Sequence, residues 1–199
     1  MARLTPISPE AASGRARELL EAVKGRLGLV PNMTRAMANS PAALDGYLLF
    51  SGVLSEGALP AKVREQIALA VAQANGCEYC LAAHSAVGRM VGLTADQIRD
   101  SRLGIAVDPK ADALIRFALK VVDARGRVDD TDLEEVRRAG FDDAAIAEVA
   151  ANVALHVFTN YFNRLAGIDL DFPVVPALGP EPARRADSNP ARLRIRKDP

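Results

Sequence analysis

The run CEYCLAAH, residues 77–84, sets two thiols three positions apart and an imidazole four positions beyond the second. Cys77 and Cys80 are the only two cysteines of the chain, and His84 is one of its two histidines. Residues three apart on a helix share a face, with Cα atoms about 5 Å apart given a ~1.5 Å rise per residue. That separation suits a disulfide. The pair can therefore cycle between dithiol and disulfide, with His84 taking or giving the proton. Which sulfur attacks first stays open on these grounds. Cys77 lies near an expected helix N-terminus, where free amides and the helix dipole favour thiolate. Cys80 instead has the i, i+4 relation to His84.

A carboxylate can join this group only if the chain folds back on itself. Gly76 punctuates two helical stretches, with Glu65 eleven residues before it and His84 eight residues after. In an antiparallel helical hairpin cornered at Gly76, the two side chains stand at nearly one height, offset by roughly 4–5 Å. Glu65 would then orient and charge the imidazole, the imidazole would deprotonate a thiol, and the thiolate would attack. The plainer alternative for Glu65 is an ordinary acid in the first turn of a helix that opens after Pro60, favoured there by the dipole. Zinc is the competing use of Cys77, Cys80 and His84, but a structural site wants a fourth ligand. The other histidine, His156, lies in a different helix among Ala154, Leu155, Val157 and Phe158 and reads as a core or interface residue. We expect no metal and no bound cofactor.

The elements that must position these groups are helical throughout. Apolar spacing, proline starts and glycine stops predict helices over 9–27, 33–38, 41–56, 60–75, 78–91, 94–101, 109–124, 132–139 and 142–166. Thr94 is the expected cap of the sixth, and Asp130 or Thr131 of the eighth. Ile67 to Ala72 is apolar on every side and should be buried all round. No stretch alternates with period two, so the fold class expected is all-α, a helical bundle. The boundary is set at 1–172 for the helical domain. Residues 173–199, rich in proline, arginine and small polar types, read as an extended or disordered tail.

A 199-residue chain can bury a sizeable core by itself. Its formal net charge of zero gives no field to attract nucleic acid or an anionic membrane. No apolar run approaches the ~20 residues of a membrane span, and the first residues, MARLTPISPEAA, lack the apolar stretch of a secretory signal. We expect a cytoplasmic protein, a setting in which a CxxC pair is redox-active or metal-binding more often than structural.

The segment REQIALAVAQANGCEYCLAAHSAVG resembles the core of the alkylhydroperoxidase D-like (AhpD-like) proteins of the carboxymuconolactone decarboxylase superfamily. The shared pattern is a glutamate, a CxxC beginning twelve residues later, and a histidine four residues after the second cysteine. Glu65, Cys77, Cys80 and His84 all match it. The flanks LGLVPNMTRAMANSPAALDGYLLFSG and FTNYFNRLAGIDLDFP resemble the peroxidase-related branch, so the likeness covers roughly residues 15–173. It implies an all-helical homo-oligomer, trimeric or hexameric, that reduces hydroperoxides. Cys80 would attack the peroxide and become a sulfenic acid, and Cys77 would condense with it to a disulfide. Glu65 and His84 would relay protons, and an external dithiol or thiol protein would return the enzyme to its reduced form. Relatives on this fold also include lactone decarboxylases, and a non-catalytic redox sensor or zinc-binding module is a further alternative. One position departs from the peroxidatic pattern: Tyr79 stands before the second cysteine where well-studied members carry histidine. A phenol with a pKa of ~10 does not shuttle protons near neutrality. Asn160, Tyr161 and Asn163 are expected to serve helix packing or subunit contacts.

Overall fold

The apolar stripes and stop signals are realised as helices in a computed structural model that describes residues 2–178. Their order is α1 (Gly14–Leu27), α2 (Asn32–Met37), α3 (Pro41–Ser55), α4 (Ala61–Ala74), α5 (Glu78–Met90), α6 (Ala95–Arg102), α7 (Pro109–Ala124), α8 (Asp130–Arg138) and α9 (Asp143–Ala166). No strand occurs among the described residues. The fold is an all-α bundle, as expected.

Two helix starts differ from expectation. The first helix begins at Gly14 rather than Pro9. Ser8 closes a separate turn, accepting the backbone N–H of Ala11 on both its hydroxyl (3.1 Å) and its carbonyl (3.0 Å). Gly14 then takes a left-handed φ of 53°, which divides that turn from the helix. At α8 the cap is Asp129, not Asp130 or Thr131. Asp129 accepts from the Asp132 N–H at 2.9 Å, and Asp132 accepts from the Asp129 N–H at 3.2 Å. This reciprocal box satisfies two helix donors at once. Thr94 caps α6 as expected, through the same kind of box with Gln97.

Helix α4 is the central wall of the molecule, packed against α5, α6, α7 and α9. Ile67 through Ala72 are each at most 1% exposed, as their uniform apolarity requires. Leu69 and Ala72 face a core shared with α1, α2, α3 and α5. Ile67, Ala70 and Val71 face a second core shared with α7, α8 and α9. The site therefore grows from an element packed into both cores.

Helix α4 turns into α5 at Gly76, whose φ of 61° lies in the left-handed region. The Cys77 N–H returns to Ala72 O at 2.9 Å and the Gly76 N–H to Gln73 O at 3.1 Å, closing α4 and aiming the chain back along it. After α9 the chain runs without regular structure through residue 178. It is tied down where Asn32 donates to Asp169 O (3.1 Å) and Arg102 to Pro176 O (3.0 Å). Of the expected tail, residues 179–199 lie outside the described residues. No helix among the described residues is long and apolar enough to cross a membrane.

Candidate active site

The hairpin delivers the four candidate residues to one place. Cys77 is the N-cap of α5, and its Sγ accepts the backbone N–H of Cys80 at 3.3 Å. The two cysteines are joined as a disulfide with Cα atoms 5.3 Å apart. One turn further along α5, His84 Nδ1 lies 2.8 Å from Glu65 Oε2 on α4. The antiparallel register thus brings the carboxylate to the imidazole, from residues nineteen apart in the chain. Glu65 is not a first-turn acid: α4 begins at Ala61 and its first turn carries none.

The Glu65 contact fixes how His84 can act. A carboxylate accepts the Nδ1–H, so the neutral ring holds its free lone pair on Nε2. Both side chains remain partly exposed, 22% for His84 and 17% for Glu65, so protons can still exchange with solvent.

A cavity of about 300 Å³ opens beside these groups. Cys80, His84 and Glu65 line it, with predominantly apolar walls that include Met33, Leu48 and Phe172. Cys77 does not line it, although both cysteines are almost fully buried, Cys77 at 1% and Cys80 at 2% exposure. A larger groove of about 820 Å³ lies between α7 and α8. It is lined by surface ion pairs such as Lys120–Asp132 (3.3 Å) and holds neither sulfur, so it has no part in this chemistry.

Tyr79 is held in place rather than free. Its hydroxyl accepts the Met33 N–H at 3.2 Å and bonds the Asp171 carboxylate. Its ring meets Phe172 edge-on with centroids 5.8 Å apart. Burial, reinforced by Asp171, pushes its pKa well above the usual phenol value. It stays protonated and latches the segment after α9 to α2 and α5. It therefore does not shuttle protons near neutrality.

Of the α9 residues that line the cavity, two touch the candidate groups, and sequence spacing did not bring them there. His156 lines the cavity and meets His84 edge-to-face, with centroids 4.9 Å apart. Burial, and then the neighbouring His84, lowers its pKa well below the ordinary imidazole value, so it is neutral. Asn163, expected in packing or subunit contacts, donates from Nδ2 to Cys80 Sγ at 3.2 Å and to Met33 Sδ at 3.3 Å. A signal for both was present in the sequence. Asn152, His156, Thr159, Asn160 and Asn163 recur at helical spacing along an otherwise apolar helix, and all five are buried. Asn160 and Arg164 also hold the hairpin corner. Asn160 accepts from Asn75 at 2.9 Å, and Arg164 donates to Asn75 O. Among the described residues, no group of three or more histidine, cysteine or acidic side chains is arranged to hold a metal ion.

An all-helical bundle carrying a paired-sulfur site with a histidine–carboxylate partner defines the class. The sequence model of the carboxymuconolactone decarboxylase family matches residues 31–124, a span that contains all four residues. A crystal structure of an alkylhydroperoxidase AhpD core, an uncharacterized peroxidase-related protein from Ralstonia eutropha JMP134, is 29% identical, with a TM-score of 0.76. The match covers 85% of this chain and 92% of that one. An uncharacterized peroxidase-related protein from Silicibacter sp. TM1040 is 25% identical over 83% of this chain and 86% of its own, with a TM-score of 0.71. The apo structure of a debrominase shares the fold at 20% identity, with a TM-score of 0.72 over 84% of this chain and 91% of that one. No curated protein matches the sequence. The chain is similar to the AhpD-like proteins of the carboxymuconolactone decarboxylase superfamily, in the family match over residues 31–124 and in the two peroxidase-related structures.

Proposed function

We propose that the protein is a thiol-dependent peroxidase that reduces hydroperoxides through a Cys77/Cys80 dithiol–disulfide cycle. The observation that carries this reading is the disulfide set one helical turn from a histidine–carboxylate pair, in a cavity reached by Cys80 and not by Cys77. In the reduced protein, His84, polarised by Glu65, takes the Cys80 proton. The thiolate attacks the terminal oxygen of ROOH, the O–O bond breaks, and His84 returns the proton to the leaving alkoxide as ROH. Cys80 is then a sulfenic acid. The Cys77 thiol attacks its sulfur, releasing water and forming the disulfide. An external dithiol or thiol protein reduces that disulfide and closes the cycle. The sum is ROOH plus two thiols giving ROH, water and one disulfide.

Apolar walls around one polar end suit an organic hydroperoxide, whose R group they cover. Self-association belongs to the same proposal. Helix α3 leaves Leu49, Phe50 and Val53 exposed, and the adjoining α9 leaves Phe158, Tyr161 and Leu165 exposed, apolar surface of the kind subunits cover. The testing experiment is steady-state consumption of cumene hydroperoxide with a dithiol reductant. Wild type should turn over repeatedly and Cys80→Ser should not. One disulfide per protein without further turnover would make the chain a redox sensor. Full activity of Cys80→Ser on a lactone substrate would make it a decarboxylase.

A further inference from the structure

Asn163 makes little sense as a packing residue. It is 4% exposed, yet both of its hydrogen bonds go to sulfur: Cys80 Sγ at 3.2 Å and Met33 Sδ at 3.3 Å. Neutral sulfur is a weak acceptor. Its Oδ1 is buried with no partner, an arrangement that ordinarily costs about 1–3 kcal/mol. A leucine would fill the same space without an orphaned carbonyl. The amide orientation also has a direction. Turning Oδ1 toward Cys80 would oppose a carbonyl to a sulfur that has no proton to give, so the N–H is the atom that faces the sulfur. A donor fixed in a buried site has its greatest effect when the acceptor becomes charged, because a hydrogen bond to an ion is roughly twice as strong as a neutral one.

We propose that Asn163 is a positioning residue that stabilises the Cys80 thiolate through its Nδ2–H, giving the sulfur that lines the cavity a fixed donor of its own. The inference rests on the dithiol reading of the site and goes further by naming the side chain that holds the Cys80 thiolate. Cys77 Sγ has the Cys80 backbone N–H and the start of α5, so both sulfurs receive one fixed donor. Helix position alone therefore does not decide between them. Cys80 alone combines such a donor with the cavity.

Other titratable groups lie around the same cavity. Cys77 is bonded to Cys80, and Tyr79 and His84 of α5 and Arg64 and Glu65 of α4 line the same cavity. His156 lies on α9, Tyr47 on α3 and Arg26 on α1, with Asp171 behind Tyr79. The test must hold all of these constant and change only the amide.

The experiment uses full-length reduced protein with Cys77→Ser, which retains a capping oxygen at the start of α5 and leaves Cys80 as the sole thiol. The rate of iodoacetamide alkylation is followed against pH. We expect an inflection below the ordinary ~8.5. Asn163→Leu should move it upward by about one to two pH units and slow alkylation at neutral pH by about 10- to 100-fold. Asn163→Asp, nearly isosteric, should move it upward as well, because a carboxylate repels the thiolate. A second measurement needs no change at Asn163: its side-chain NH2 resonances, followed by NMR, should shift with the same midpoint as the alkylation. An unmoved inflection in folded Asn163 variants overturns the proposal, as do amide resonances indifferent to the Cys80 titration. The readout is sulfur titration, so its failure is distinct from absence of peroxide turnover. A shifted inflection in a protein that consumes no peroxide upholds the Asn163 assignment and removes only the peroxidase reading.

Discussion

Replacing Glu65 by glutamine tests the proton relay with little change in shape. Glu65 Oε2 lies 2.8 Å from His84 Nδ1, so a carboxylate faces the ring nitrogen that carries the proton. The amide of glutamine can still hold the ring by a neutral hydrogen bond. What is lost is the negative charge that stabilises the imidazolium formed when Cys80 gives up its proton. A hydrogen bond to a charged group contributes about 1.5–3 kcal/mol when buried. Partial exposure of the pair, 17% and 22%, brings that toward about 1–2 kcal/mol. At about 1.4 kcal/mol per tenfold in rate, peroxide consumption should fall roughly 5- to 30-fold. The fall should come in kcat/KM for the hydroperoxide, measured under saturating dithiol. Stability should change little, because α4 starts at Ala61 and Glu65 caps nothing. A variant with wild-type kcat/KM across the pH range would refute the relay. A variant that loses its fold would make Glu65 structural instead.

Tyr79→Phe should lower stability by about 1–3 kcal/mol in urea unfolding, because the Met33 N–H and the Asp171 carboxylate lose their shared partner. Its pH–rate profile should keep the wild-type shape, since the buried hydroxyl does not ionise. Gly76→Ala should cost about 1–2 kcal/mol, because φ of 61° at the hairpin corner is strained for any residue with a Cβ. His156 makes stability depend on acid. Its folded pKa lies below the unfolded value, so the unfolded chain binds the proton first. Unfolding free energy should therefore fall as pH drops below ~6.5, by at most about 1.4 kcal/mol per pH unit, until the folded imidazole itself protonates. His156→Asn should flatten that component of the profile.

The parts of the site legible in the sequence are those governed by helix geometry. Cys77, Cys80 and His84 share one helix, so their spacing alone puts them on one face. Glu65 lies on the preceding helix, and a single glycine corner transmits the register to it. Residues whose position depends on packing between distant elements were beyond that reach. Asn163 is 83 residues from Cys80, and its contact exists because α9 packs against both α4 and α5. Asp171 redefines Tyr79, a role invisible without the path of the chain after α9. The helix starts at Gly14 and Asp130 differed from expectation because local side-chain bonds at Ser8 and Asp129 outcompete periodicity at the ends.

The central claim is that oxygen from a hydroperoxide is delivered to Cys80 and not to Cys77. Mass spectrometry of reduced Cys77→Ser, treated with one equivalent of hydroperoxide and trapped with dimedone, tests it directly. The account predicts a trapped sulfenic acid on Cys80 and none in Cys80→Ser. A sulfenic acid on Cys77 in Cys80→Ser, with Cys80 unmodified in Cys77→Ser, would contradict it.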